Sequence, residues 1–114
     1  MLAVCENQVL TLLIGCLVNK SASWFVYIIK TVQDKLYTGI TTDIERRWLE
    51  HRTSNKGAKF FRTDAPKSVV FVCECQNRSE ASKLEAKIKK MKKTNKIMLI
   101  QSTENQLNKI QLRD

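Results

Sequence analysis

The sequence predicts a single small α+β domain, a three-stranded mixed or antiparallel sheet flanked by helices in the order β-β-α-β-α-α. Three observations carry that expectation. Two strand-like runs, Trp24 to Lys30 and Leu36 to Thr41, stand either side of the short polar turn Val32-Gln33-Asp34-Lys35. Two segments, Thr42-Asp43-Ile44-Glu45 and Asn77-Arg78-Ser79-Glu80, have a capping residue three places ahead of a glutamate and mark helix starts. Between them Ser68 to Cys75 contains Val69-Val70-Phe71-Val72, a near-continuous apolar run suited to a central strand covered on both faces.

The first helix is expected to run from the capping box to about Arg52, with Ile44 and Trp48 as its inward stripe at i and i+4. Thr53 to Lys67 mixes Ser, Asn, Gly57, Pro66 and charges, and reads as an extended loop of functional length. The second helix is expected to extend to about Lys93 with Ala81, Leu84, Ile88 and Met91 inward. Ile97 to Ile100 and Leu107 to Leu112 suggest one or two further helices. At 114 residues one core is expected. The division is an apolar extension over residues 1–21, the domain over 22–101, and a helical or disordered tail over 102–114.

A net charge of +9 and a sequence pI near 9.6 create a field that attracts polyanions, nucleic acid first among them. The four cysteines, Cys5, Cys16, Cys73 and Cys75, show no zinc-ligand spacing and fit reduced thiols in a cytoplasm. Val9 to Val18 is apolar except for Thr11 but too short to span a bilayer. It lacks the basic start of a signal peptide, which weighs against reading Leu13-Ile14-Gly15-Cys16 as a lipoprotein cleavage box.

Strand parity raises a functional question. If Val32 to Asp34 form a three-residue hairpin loop, paired positions sum to an even number, Tyr27 faces Gly39, and Tyr27 and Tyr37 lie diagonally on one face. A two-residue loop would put them on opposite faces, and both also read as ordinary strand tyrosines. Arg47 and His51, at i and i+4, converge beside the Ile44/Trp48 stripe; the plainer reading is a solvated arginine and a histidine favoured by the helix C-terminus. Glu85 is placed to form a surface ion pair with Lys89.

Taken together, Phe25-Val26-Tyr27, Tyr37-Thr38-Gly39 and the helix carrying Arg47 and His51 resemble the signature of the GIY-YIG nuclease superfamily. The runs Thr41 to Arg47, Gly57-Ala58-Lys59-Phe60 and Leu84-Glu85 look most like its small stand-alone bacterial members, with a more remote likeness to the excision-repair nuclease domain and homing endonucleases. Phe25, Val26 and Thr38 depart from the motif at backbone-packing positions. The resemblance implies catalytic roles for Tyr27, Tyr37, Arg47, His51 and Glu85, with Glu85 binding one Mg²⁺ or Mn²⁺ ion. A tyrosine is a poor base at neutral pH, but the cationic Arg47 and His51 and a nearby cation favour its phenolate, and the sequence does not assign which tyrosine is the base.

Lys56, Lys59 and Arg62 on the loop, with Lys87 and Lys90 on the later helix, are candidates for backbone contacts to DNA or RNA. The expected activity is metal-dependent hydrolysis of DNA phosphodiesters in repair or recombination, with specificity lent by nucleic-acid structure or a partner protein. The alternative is a catalytically weak or inactive nucleic-acid-binding module on the same fold.

Overall fold

The computed structural model describes residues 23–53 and 56–107. The apolar extension, Cys5, Cys16, the lipoprotein-like box and, apart from Leu107, the expected last helix lie outside the described residues. The elements run β1 (Trp24–Thr31), β2 (Leu36–Thr41), α1 (Ile44–Thr53), a 3₁₀ turn (Lys59–Arg62), β3 (Pro66–Cys75), α2 (Arg78–Lys89) and α3 (Lys93–Ile100). The sheet order is β2-β1-β3, antiparallel throughout.

The hairpin sets the geometry of everything above it. Asp34 N–H donates to Thr31 O at 3.0 Å and Thr31 N–H to Lys35 O at 2.9 Å, while Asp34 itself takes φ 69°. This is the three-residue loop in which a type I turn is followed by a left-handed residue, and Asp is among the few non-glycine residues that tolerate that conformation. The resulting register pairs Tyr27 with Gly39 and Ile29 with Tyr37, as parity requires. Buried Asp64 fastens the loop from below, accepting from Thr31 Oγ1 and from the Gln33 N–H.

Odd and even positions of β1 feed two separate cores. Val26 and Ile28 pack with Phe71, Cys75, Ala81 and Ile88, so α2 covers the even face. Tyr27 and Ile29 pack with Ile44, Trp48, Phe61 and Val72, so α1 and the 3₁₀ turn cover the odd face. Fully burying a side chain such as Phe71, Ile28 or Ile88 contributes about 1.5–3 kcal/mol.

Four sequence expectations are corrected. β3 is an edge strand and β1 the central one, because Val26-Tyr27-Ile28-Ile29 is the run buried on both faces while Val69 and Val70 are only half-buried. The free edge of β3 is instead met by the segment after α3: Gln106 N–H donates to Val72 O at 2.8 Å, and Asn105 Oδ1 accepts from Val72 N–H at 3.2 Å. The cap of α1 is Asp43, whose Oδ1 accepts from Arg46 N–H at 3.1 Å, one residue later than the Thr-x-x-Glu pattern indicated. α2 stops at Lys89, since the chain turns at Lys90 to Lys92 before α3. The Thr53 to Lys67 loop is not extended throughout, as it contains the 3₁₀ turn and gives way to β3 at Pro66. The second cap holds, since Asn77 Oδ1 accepts from Glu80 N–H at 2.9 Å, while Glu80 Oε1 reaches past the cap to Gln76 N–H at 3.2 Å.

Candidate active site

The odd face of the hairpin carries a polar and aromatic cluster set into an otherwise apolar core. The Tyr27 ring lies over Gly39; a Cβ there would come within 2.5 Å of the phenol oxygen, so the close approach requires glycine. Tyr27 Oη and His51 Nε2 are 2.8 Å apart, with both residues buried. Tyr37, half-buried, completes a triangle: its ring centroid is 6.3 Å from that of Tyr27 and 5.6 Å from that of His51.

Arg47 stands one turn before His51 on α1 and is half-buried. Its Nη1 donates to Glu50 Oε1 and to Lys56 O, each at 2.9 Å. Its charge also acts on the Tyr27 phenol. The two residues of the i, i+4 pair therefore do converge, but the histidine turns into the core and the arginine lies along its rim.

Electrostatics corrects one expectation. Burial first, and then the Arg47 charge, push His51 down to about 4, with Glu50 opposing, so the imidazole is neutral at neutral pH and supplies no positive charge. Arg47 is the cation of this cluster. Burial, then Tyr37, raise the Tyr27 phenol well above the ordinary tyrosine range, and Arg47 offsets only part of that. In the free protein the phenol keeps its proton.

Glu85 comes from a different helix than Arg47 and His51. It is on α2, the helix of the even face, and pairs with Lys89 Nζ at 3.2 Å. Its charge reaches Tyr27 and raises the phenol slightly, as the last of the contributing causes. The candidate phosphate contacts also divide. Exposed Lys56, Lys59 and Arg62 flank the odd-face cluster, whereas exposed Lys87 and Lys90 belong to the helix end covering the even face.

Sequence reasoning missed the two phenylalanines of the 3₁₀ turn. Phe61 is buried, with its ring centroid 4.7 Å from His51 and 4.9 Å from Tyr37; Phe60, 39% exposed, lies 5.4 Å from Tyr37. Two adjacent aromatics inside a polar loop were the signal available. Cys73 and Cys75 lie on the even face as free thiols, Cys73 pushed by burial to about 11.

The model of the GIY-YIG catalytic domain matches residues 23–98. This chain belongs to the GIY-YIG family. The GIY-YIG match spans every element from β1 into α3 and includes all five candidate residues. Within the family the chain is similar to the UPF0213 protein DP2720 of Desulfotalea psychrophila, 46% identical over 82 residues, which are 72% of this chain and 74% of that protein. It is also similar to the UPF0213 protein YhbQ of Escherichia coli, 44% identical over 77 residues, 68% of this chain and 76% of that protein. Among solved structures, the solution NMR structure of the UPF0213 protein BH0048 from Bacillus halodurans is 30% identical and covers 72% of this chain and 86% of its own, with a TM-score of 0.47. No helix of the described residues is long and apolar enough to cross a membrane.

Proposed function

We propose that this chain is a metal-dependent endonuclease that hydrolyses DNA phosphodiesters, acting in the cytoplasm in repair or recombination with little sequence preference of its own. The observation that carries the reading is the buried Tyr27 phenol hydrogen-bonded to His51 beside the Arg47 guanidinium. A phenol, an imidazole and a guanidinium gathered on one face of a strongly basic chain are suited to phosphate chemistry.

Tyr27 is the better candidate for general base, because His51 Nε2 sits 2.8 Å from its oxygen and the Arg47 charge lowers the cost of charge there. Tyr37, on the accessible side of the triangle, orients the attacking water or the phosphate. Arg47 supplies the charge that meets the negative transition state, an effect whose removal costs roughly 10²–10³ in rate for comparable donors. Lys56, Lys59 and Arg62 hold the flanking backbone through sequence-independent contacts, with Lys87 and Lys90 serving a longer duplex that reaches round to α2.

Members of this family typically use a divalent metal. The described residues hold no group of three or more His, Cys, Asp or Glu that would form a closed cage. A half-buried Glu85 carboxylate fits an ion that keeps most of its waters and takes its remaining ligands from the phosphate, as Mg²⁺ and Mn²⁺ do, once Lys89 releases it. When bound, such an ion would neutralise phosphate charge and stabilise the leaving oxygen.

Nicking of supercoiled plasmid and of branched DNA with added Mg²⁺ tests the proposal. Arg47→Ala and Glu85→Ala are each expected to lower nicking at least ~10²-fold while leaving salt-sensitive binding largely intact. Nicking by the variants at the wild-type rate would overturn the assignment. The second reading, a nucleic-acid-binding module without catalysis, is favoured by the Glu85–Lys89 ion pair and the raised Tyr27 phenol, and predicts binding with no nicking by the wild type.

A further inference from the structure

The loop from Lys56 to Ala58 touches α1 through its backbone at two points that bear on the cluster. Lys56 O accepts from Arg47 Nη1 at 2.9 Å, and the Ala58 N–H donates to His51 Nδ1 at 3.1 Å. Gly57 between them has no room for a side chain: an added Cβ would lie 2.8 Å from His51 Cα and 2.9 Å from Glu50 O. The loop therefore reaches the helix only because position 57 is glycine, and its two neighbours each grip one polar residue of the cluster.

The contact at Ala58 has a chemical consequence. A backbone N–H gives a proton and cannot accept one, so the ring nitrogen facing it must be the unprotonated one. The imidazole is neutral, hence its proton is on the other nitrogen, Nε2. That nitrogen is the one 2.8 Å from Tyr27 Oη. Turning the ring over would set carbons against both partners.

We propose that the Lys56-Gly57-Ala58 backbone is a positioning element that holds His51 in the Nε2–H tautomer, making it a hydrogen-bond donor to Tyr27 Oη rather than the acceptor of the Tyr27 proton. The phenol oxygen then always faces a donor, which suits it to carry negative charge, and its own proton leaves by a route other than His51. The opposite tautomer would hold that proton in a hydrogen bond and favour the phenol. The catalytic consequence rests on the nuclease reading; the tautomer is a property of the free chain.

His51 is the only histidine in the sequence, so its ring nitrogens can be read without assignment by two-bond ¹H–¹⁵N correlation NMR of the ¹⁵N-labelled full chain near neutral pH, without nucleic acid or divalent ion. The wild type is expected to show a protonated Nε2 and a pyridine-type Nδ1. Ala58 has φ −62° and ψ 144°, a conformation proline adopts, so Ala58→Pro deletes the donor with little strain at that residue. It is expected to move the ring toward the Nδ1–H form and to reduce nicking roughly 10-fold or more. Ala58→Ser, which keeps the N–H, should retain both the wild-type pattern and the rate.

A wild-type ring protonated on Nδ1 overturns the proposal, as does a folded Ala58→Pro chain whose tautomer is unchanged. Should Ala58→Pro fail to fold, Gly57→Ala, which pushes the same loop off the helix, takes its place under the same criteria. A wild type with the expected tautomer that nicks no DNA sinks the nuclease reading and leaves the tautomer assignment standing.

Discussion

Lowering the pH should destabilise this protein through His51 before most of its carboxylates titrate. The buried imidazole, 5% exposed, is held at about 4 by burial and by Arg47, against an unfolded value of 6.5. Below that unfolded value the denatured chain takes up a proton that the folded chain refuses, so the unfolded state binds more protons and stability falls with falling pH. The contribution is fully present above about pH 6.5 and is lost as the pH falls to about 4. Each pH unit between the folded and unfolded values corresponds to about 1.4 kcal/mol, so the loss relative to neutral pH reaches about 2 kcal/mol near pH 5 and about 3 kcal/mol near pH 4.

Urea unfolding of wild type and His51→Gln at several pH values isolates this effect. Glu50 and Asp34, whose carboxyls are held down by Arg47 and Lys30 respectively, add an acid loss of the same sign that largely cancels in the difference. His51→Gln should start out less stable near neutral pH, having lost the Ala58 and Tyr27 contacts, and the gap should narrow as the pH falls. A gap that stays constant from about pH 7.5 to about pH 4.5 would refute the burial reasoning, because it would mean that His51 titrates as freely as in an unfolded chain.

Two further expectations concern single atoms. Gly39→Ala sets a methyl where the Tyr27 oxygen now lies, within 2.5 Å, and must displace the phenol. The expected result is overpacking of about 1–3 kcal/mol in urea unfolding and a fall in nicking of about 10²-fold, and near-wild-type values of both would show that the ring does not need this place. Thr38→Val replaces a buried hydroxyl that has no hydrogen-bond partner among the described residues by a methyl of the same shape. It should stabilise the fold by about 1 kcal/mol, measured as a higher urea midpoint, and a lower midpoint would mean that the hydroxyl is satisfied.

Much of the fold could be read locally. The length of the hairpin loop sets the parity, and parity alone places Tyr27 against Gly39 and beside Tyr37. The α2 cap was legible because Asn77 and Glu80 act within one turn; at α1 the pattern misled by one residue, since Asp43 competes for the same amides as Thr42 and wins. The sheet order was not legible: β1 and β3 are both apolar runs, and which is central depends on what packs outside each, including an edge contact from Asn105 and Gln106 more than thirty residues along the chain.

The sequence by itself determined the element order, the size of the domain, its basic charge and the presence of two tyrosines, an arginine, a histidine and a glutamate at the spacing of the GIY-YIG signature. These are matters of period, turn length and residue type, which act over a few residues. Tertiary structure decided the chemical state of the cluster: that His51 is neutral, that Tyr27 keeps its proton in the free chain, and that Glu85, paired with Lys89, still bears on Tyr27 through its charge. Those outcomes depend on desolvation and on distances between groups brought together from separate elements, as where Ala58 meets His51 because Gly57 lets the loop close on α1.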